Sequence, residues 1–411
     1  MERVGAELMD HGSRPGSELF ERFGIRHVIN ASGTETVHGA SRASNRVANA
    51  VSAVLPYWIE MAELQRAASE VIAKVTGAEA GFVTGCSAAG IAVGVAAAMT
   101  GADLGKVERL PDASGFRNRV VLQKGHEVNF GATVTQMIRI AGATPVEIGT
   151  ATGCAAFQLE AAIDERTAAA VFVLSHHTVQ SGLMDLKTFA AVCKAKGIPV
   201  IVDAAAEYDW PGMLRDGATA VVFSAQKAAA GTTAGVIAGS RDFIRACFYQ
   251  ERGIGRPMKA GKENVVGAIT ALDQWLQTDH KAVRKAEAAR LDRAESLLQN
   301  IKGLRLEREP DPPGNPFNRL MLHVDPRVAR ISAFQLGQQL AAGKPKIVLR
   351  SLHTDRGYLL LDVRRIDDAE LDLVVARIRE ILATVPADSK PVAPPTGGDL
   401  TQQGMARWLA R

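Results

Sequence analysis

Short apolar segments rich in valine, isoleucine and alanine recur along the middle of the chain, at residues 119–123, 144–148, 169–175, 198–203 and 220–224. A strand that carries apolar side chains on both faces is buried on both faces, which is typical of a parallel sheet covered by helices. Stretches long enough to form helices separate these segments. The pattern therefore predicts an α/β fold in which helices flank a mostly parallel central sheet.

The chain has 411 residues, enough for one large domain and a smaller one. We expect an N-terminal arm at residues 1–25 and a large domain at 26–265. A long linking helix and a small C-terminal α+β domain are expected at 266–388. Residues 389–411 begin with a stretch rich in proline and glycine, so we expect a tail there.

Two polar residues follow neighbouring strands of this predicted sheet. Asp203 ends one apolar segment, and Lys227 follows the next, before a run of small residues at 228–235. A lysine amine forms a Schiff base with an aldehyde, and a nearby carboxylate keeps a pyridine nitrogen protonated. This pair therefore predicts a pyridoxal phosphate site, with Lys227 bonded to the cofactor and Asp203 beside its ring nitrogen. The alternative is a solvated lysine at a strand end and an aspartate that caps a helix.

Further residues are candidates for binding the same cofactor. Gly85, Cys86 and Ser87 join a strand to an alanine-rich helix, where backbone N–H groups and the helix dipole favour a phosphate. Ser224 precedes Lys227 by three residues and offers a hydroxyl donor. His126 follows another strand, and its flat ring suits a position stacked on the pyridine. An ordinary helix cap and a structural histidine are the alternatives.

Candidates for contact with substrate or phosphate lie in three places. The loop at 255–263 carries three cations, including Lys262, which suit a phosphate or a carboxylate; a solvated basic loop is the alternative. Arg350 and Arg364 lie on predicted strands of the small domain, where one of them is expected to bind a substrate carboxylate. His177 ends the strand before that of Asp203 and is expected to contact substrate or the cofactor's phenolic oxygen. Adjacent residues of a strand face opposite sides, so His176 and His177 do not indicate a metal site.

Composition limits the class of partner. The formal net charge is +4 and the cations are scattered, so no nucleic-acid-binding surface is expected. No stretch of 18 apolar residues is present, which argues against a membrane span. The four cysteines lie far apart without a CxxC pair, so metal and redox motifs are unsupported and reduced thiols are expected. We therefore expect a cytoplasmic protein, and the predicted cofactor site implies a small, amino-acid-like substrate.

Several motifs resemble the fold-type I pyridoxal phosphate enzymes, and in particular the group around L-seryl-tRNA(Sec) selenium transferase and D-glucosaminate-6-phosphate ammonia-lyase. The motifs are residues 28–34, 64–66, 76–80 and 223–227, and the loop at 255–263 is most similar to the ammonia-lyase branch. Gln226 departs from the selenium transferases, which tend to have an aspartate before the lysine. The resemblance implies that Lys227 and Asp203 bind the cofactor, that residues 85–87 bind its phosphate and that His126 covers its ring. It also implies a homodimer or a larger homo-oligomer.

The ammonia-lyase branch implies α,β-elimination from a hydroxylated amino acid or amino sugar acid, which yields a 2-keto acid and ammonia. In that reaction Lys227 would act as the general base at Cα. Fold alone does not select a reaction, so transfer at the β-carbon, transamination and racemisation stay open. A non-catalytic protein that binds pyridoxal phosphate is the alternative outside the enzymes.

Overall fold

A computed structural model of the chain describes residues 17–394, which form two compact units. The larger unit comprises Ala40–Thr278 and the short insertion Pro312–Asn315. The described part of the smaller unit comprises the residues up to Gly39, then Asp279–Asp311, and the residues from Pro316 onward. The predicted arm at 1–25 and the predicted tail at 389–411 lie partly outside the described residues.

The larger unit is built on a seven-stranded sheet. Its strands are β2 (Ala80–Thr84), β3 (Arg119–Gln123), β4 (Thr144–Ile148), β5 (Thr167–Val173), β6 (Val200–Asp203), β7 (Ala220–Ser224) and β8 (Gly235–Gly239). The strand order is β2-β8-β7-β6-β5-β3-β4. Strand β8 runs antiparallel to both of its neighbours, and the other pairs are parallel. This sheet confirms the predicted α/β fold.

Every residue of β5 and β7 is buried, because the sheet has an apolar core on each face. Val221 and Phe223 point into one core, and Val222 between them points into the other. Helices cover both faces: α2 (Asn45–Val54), α3 (Met61–Thr76), α4 (Ser87–Thr100), α5 (Leu104–Arg109), α6 (Val134–Ile140), α7 (Ala156–Ala162), α8 (Leu186–Ala195), α9 (Trp210–Arg215), α10 (Arg241–Tyr249) and α11 (Lys262–Gln277).

Helix α4 lies so close to the sheet that it needs small residues. A Cβ on Gly90 would come within 2.6 Å of the Val222 side chain, and one on Gly94 within 3.4 Å of Ile201. This close approach explains the alanine- and glycine-rich sequence of the helix. It also fixes the helix N-terminus beside the strand ends that carry the candidate site.

The smaller unit contains an antiparallel sheet of order β12-β10-β9 and a parallel pair of β1 with β11. Its strands are β1 (Val28–Ala31), β9 (Leu304–Pro310), β10 (Asn318–Val324), β11 (Lys346–Leu349) and β12 (Tyr358–Leu361). Its helices are α1 (Ser17–Phe23), α12 (His280–Leu298), α13 (Pro326–Ala329), α14 (Ala333–Ala342) and α15 (Asp368–Thr384). Among the residues from 17 to 394, no helix is both long enough and apolar enough to cross a membrane.

The division between the units differs from the expected one at residue 265. That boundary would cut α11, which packs against α2 and α3 of the larger unit, and the structure divides the chain after Thr278. In place of the one long linking helix that was expected, the structure has two helices, α11 and α12. The Asp279 carboxylate caps α12 by accepting from the N–H groups of Lys281 and Ala282. Strand β1 belongs to the smaller unit and not to the large domain, because it pairs with β11, Ile29 opposite Ile347.

Candidate active site

The carboxyl ends of β5, β6 and β7 meet at one edge of the larger unit's sheet. Asp203 is in register with Val173 of β5 and with Val222 of β7. The turn after β6 is bonded to β7: the Ala204 N–H donates to Val222 O at 2.8 Å, and the Ser224 N–H donates to Ala205 O at 3.2 Å. The acid predicted from the sequence therefore lies beside the strand that leads to Lys227.

Lys227 lies in a tight turn that follows β7. Its N–H donates to Ser224 O at 3.2 Å, and the Ser41 hydroxyl donates to Gln226 O. The Gln226 side chain is buried and accepts from the Ala234 N–H at 3.2 Å, which closes the loop of small residues. Gln226 thus supports the lysine turn from inside. Ser41 supports it from a distant part of the chain, and no local pattern predicts that contact.

The Asp203 carboxyl is only 5% exposed. Burial raises its pKa to about 6, against the opposing effects of the Lys227 charge and the Ala205 N–H. A carboxylate at this position is therefore poorly solvated and gains from a positive partner. A protonated pyridine nitrogen is such a partner, so the residues present fit pyridoxal phosphate.

The turn between β2 and α4 has hydroxyl and N–H groups suited to an anion. The Ser224 hydroxyl donates to Ser87 Oγ at 2.8 Å, so residues from two strand ends meet there. Cys86 Sγ accepts from the Ala89 N–H at 3.4 Å. In the described part of the chain, the first-turn N–H groups of Ser87 and Ala88 have no acceptor, as expected at a helix start. Ser87, Ser224 and Cys86 stay candidates for the cofactor phosphate.

Gly85 does not offer the free N–H group that the sequence analysis expected. Its N–H donates to Met258 O at 2.7 Å, and a Cβ on it would lie 2.9 Å from the same oxygen. Gly235 on the neighbouring strand is equally confined, because its Cβ would come within 2.1 Å of Cys86 O. Both glycines allow the turn to pack closely, and neither needs to touch the cofactor.

His126 is buried in a short 3₁₀ turn after β3. Its Nδ1 accepts from the Val173 N–H at 3.2 Å, and its ring meets Phe172 edge to face at 4.5 Å. Burial lowers the pKa of His126 to about 4, so the ring is neutral at pH 7. Since Val173 is in register with Asp203, His126 lies near the carboxyl edge, and stacking on the cofactor ring stays a prediction.

Lys262 and His177 have local contacts that their sequence neighbourhoods do not predict. The Lys262 ammonium donates to the carbonyl oxygens of Leu55 and Tyr57, at 2.7 Å and 2.5 Å. It therefore anchors that loop, and a phosphate contact would have to compete with it. His176 and His177 lie in a turn and not on the strand, and their rings are 3.9 Å apart, so the expectation that they face opposite sides is wrong.

The two candidate arginines of the smaller unit differ in their partners, and both follow a strand instead of lying within one. Arg364 pairs with Asp362, Nε to Oδ1 at 2.9 Å, and its guanidinium lies 3.5 Å from the Phe317 ring centre. Although burial opposes it, this pairing holds the pKa of Asp362 well below its usual range. Arg350 is buried with its Nε 3.9 Å from Glu35, and burial followed by the charge of Arg319 lowers its pKa.

Comparisons with known proteins identify relatives of this chain. Residues 46–237 match the DegT/DnrJ/EryC1/StrS aminotransferase family. The chain is 38% identical to D-glucosaminate-6-phosphate ammonia lyase of Salmonella typhimurium over 88% of this chain and 97% of that protein. It is 34% identical to 5'-C-glycyluridine monooxygenase-decarboxylase of a Streptomyces species, over 90% of this chain and 94% of that protein.

A solved structure of D-glucosaminate-6-phosphate ammonia-lyase superposes with a TM-score of 0.81 at 38% identity, covering 89% of this chain and 98% of that one. The predicted fold type, cofactor and resemblance to the ammonia-lyase branch are thereby confirmed. The chain belongs to the fold-type I pyridoxal phosphate-dependent enzymes, in the family of D-glucosaminate-6-phosphate ammonia lyase.

Proposed function

We propose that this protein is a pyridoxal phosphate-dependent ammonia lyase that acts on a hydroxylated amino sugar acid and releases a 2-keto acid and ammonia. The observation that carries this proposal is the pair of Lys227 and the buried Asp203 at adjacent strand ends. The similarity to the ammonia lyase over nearly the whole chain supports the choice of elimination among the reactions open to this fold.

Bound pyridoxal phosphate supplies an electron sink for the charge that develops at the substrate Cα. Asp203 holds the proton on the ring nitrogen, which its buried carboxylate stabilises better than water would. The Lys227 amine takes the proton from Cα as general base. Loss of the β-hydroxyl then leaves an enamine, which water converts into the keto acid and ammonia.

The substrate class follows from what the two relatives share. Both names describe an α-amino acid with a polyhydroxylated carbon chain, a glucosaminate in one and a glycyl-substituted uridine in the other. We infer that the substrate here is likewise a polyhydroxylated α-amino acid. The decisive assay measures ammonia and 2-keto acid from D-glucosaminate, D-glucosaminate 6-phosphate and 5'-C-glycyluridine.

A second candidate function is oxidative decarboxylation, which the 34% identical relative favours. Uptake of oxygen and release of carbon dioxide from 5'-C-glycyluridine, without ammonia from either glucosaminate, would support it against elimination. An amino acid product that forms only when a keto acid is added would indicate transamination instead.

We expect Arg350 to bind the substrate carboxylate, because a guanidinium forms a bidentate pair with a carboxylate and Arg364 already pairs closely with Asp362. Arg350→Lys should raise KM about 10-fold or more, since charged hydrogen bonds contribute about 1.5–3 kcal/mol each. Steady-state kinetics with the active glucosaminate check this. Arg356→Lys, on an exposed turn of the same unit, is the control and should leave KM unchanged.

We also propose that the protein is a cytoplasmic homo-oligomer. The larger unit presents Tyr57 and Trp58, the latter 100% exposed, on the loop that Lys262 anchors. Large aromatic side chains held rigidly in solvent are typical of protein interfaces.

Trp58→Lys is therefore expected to shift the protein to smaller species in light scattering coupled to gel filtration. Phe157→Lys removes an apolar side chain that is 68% exposed and is the matched control, with no expected shift. An unchanged mass for Trp58→Lys would place the interface elsewhere.

A further inference from the structure

Two carboxylates of the larger unit, all of whose residues are described, are nearly inaccessible to solvent: Asp203 and Glu207, each 5% exposed. Every other aspartate and glutamate of that unit is at least partly exposed. Burying a carboxylate is unfavourable, and such groups are therefore concentrated at functional sites. Asp203 has a role in the proposed reaction as the partner of the cofactor nitrogen, and the steps described so far use no second buried acid.

Glu207 lies in the turn that follows Asp203, four residues further along the chain. Its N–H donates to Ala204 O at 3.1 Å, and Ala204 in turn is bonded to Val222 of β7. In the same turn, Ala205 O accepts from the Ser224 N–H. Ser224 O in turn accepts from the Lys227 N–H. A continuous set of backbone hydrogen bonds thus joins the segment of Glu207 to the segment of Lys227 at the carboxyl edge of the sheet.

A distant part of the chain fixes the Glu207 side chain. The Asn315 amide donates to Glu207 Oε2 at 2.6 Å. Asn315 ends the insertion Pro312–Asn315, with which the chain returns to the larger unit after leaving it at Thr278. Two consecutive prolines restrict this insertion, so the amide that holds the carboxyl is itself well positioned.

We propose that Glu207 is the general acid that protonates the departing β-hydroxyl, an inference that rests on the proposed elimination. Hydroxide is a poor leaving group, and an acid at the oxygen removes that difficulty. As the Cβ–O bond breaks, the Glu207 carboxylic proton passes to the oxygen and water leaves. Lys227 has taken the Cα proton, so base and acid together remove a proton and a hydroxyl. The Glu207 carboxylate regains a proton from solvent before the next turnover.

The test separates proton removal at Cα from loss of the hydroxyl, using holoenzyme and the active glucosaminate in D₂O. For Glu207→Gln we expect keto acid release to fall by about 10²- to 10⁴-fold, the usual contribution of a general acid. The recovered substrate should nevertheless gain deuterium at Cα at a rate within about threefold of wild-type turnover, because Lys227 is unaffected. The cofactor absorbance of the variant confirms that the site is intact.

Controls make the result specific. Asp209 is an exposed acid of the same turn, and its side chain caps α9. Asparagine caps a helix as well as aspartate does, so the Asp209→Asn variant should have wild-type activity. If deuterium incorporation and keto acid release fall equally in Glu207→Gln, or if neither falls, Glu207 is not this acid. If wild type releases no keto acid at all, the elimination itself is refuted, and this inference with it.

Discussion

Lys227→Ala is expected to abolish turnover, with a loss of at least about 10⁴-fold, because the variant lacks both the amine that bonds to the cofactor and the base at Cα. The wild-type holoenzyme should be yellow, and borohydride should attach the cofactor irreversibly to Lys227. Mass spectrometry of the reduced, digested protein locates that attachment. The variant should show no reducible imine.

Lys196→Ala is the matched control for this experiment, since Lys196 is an exposed lysine that caps a helix of the same unit. Its activity and its borohydride product should equal those of wild type. A reducible imine that persists in Lys227→Ala would assign the cofactor to another lysine, and the site described here would be wrong.

Asp203→Asn is expected to have opposite effects on activity and on cofactor-free stability. Asparagine cannot stabilise a protonated ring nitrogen, so kcat should fall by about 10²-fold or more, as a loss of about 3 kcal/mol or more of electrostatic stabilisation implies. Without cofactor, however, the buried Asp203 carboxyl of the wild type is ionised at neutral pH, and this buried charge destabilises the folded protein. The variant removes that charge and should be the more stable apoprotein.

The pH dependence gives the sign of this stability effect. The pKa of Asp203 rises on folding from 3.8 to about 6, so the folded apoprotein binds more protons than the unfolded chain between these values. Wild-type stability relative to Asp203→Asn therefore falls as pH rises through that window, by about 2–3 kcal/mol in total, and the two proteins converge near pH 4. Urea titrations of both apoproteins at pH 4.5 and 7.5 measure the difference. A constant difference across this range would contradict the raised pKa.

Local patterns were sufficient to predict the strands of the central sheet and the main chemistry. Strands β5 and β7 are apolar because both of their faces are buried, and that burial is visible as unbroken runs in the sequence. Asp203 and Lys227 could be placed together because the carboxyl ends of neighbouring parallel strands share an edge. These inferences need only short stretches of chain.

Long-range contacts could not be predicted in the same way. Strand β1 pairs with β11 more than 300 residues later, so its local sequence gave no indication that it belongs to the smaller unit. The N–H of Gly85 has its acceptor at Met258, in a loop whose sequence does not indicate that it lies against residue 85. Glu207 was overlooked because a lone acid in a turn looks solvated until its burial and its bond to Asn315 are known.

The order of strands in the sheet has a consequence for biosynthesis. Edge strand β2, which leads into the turn of Ser87, has β8 as its strand neighbour, and β8 follows Lys227 in the chain. A nascent polypeptide emerging from the ribosome therefore cannot complete the pairing beside the turn of Ser87 until residue 239 has been made, well after the turn itself is synthesised. Capture of the vitamin B6 derivative is consequently a late event in maturation, and fragments that stop before β8 should emerge colourless.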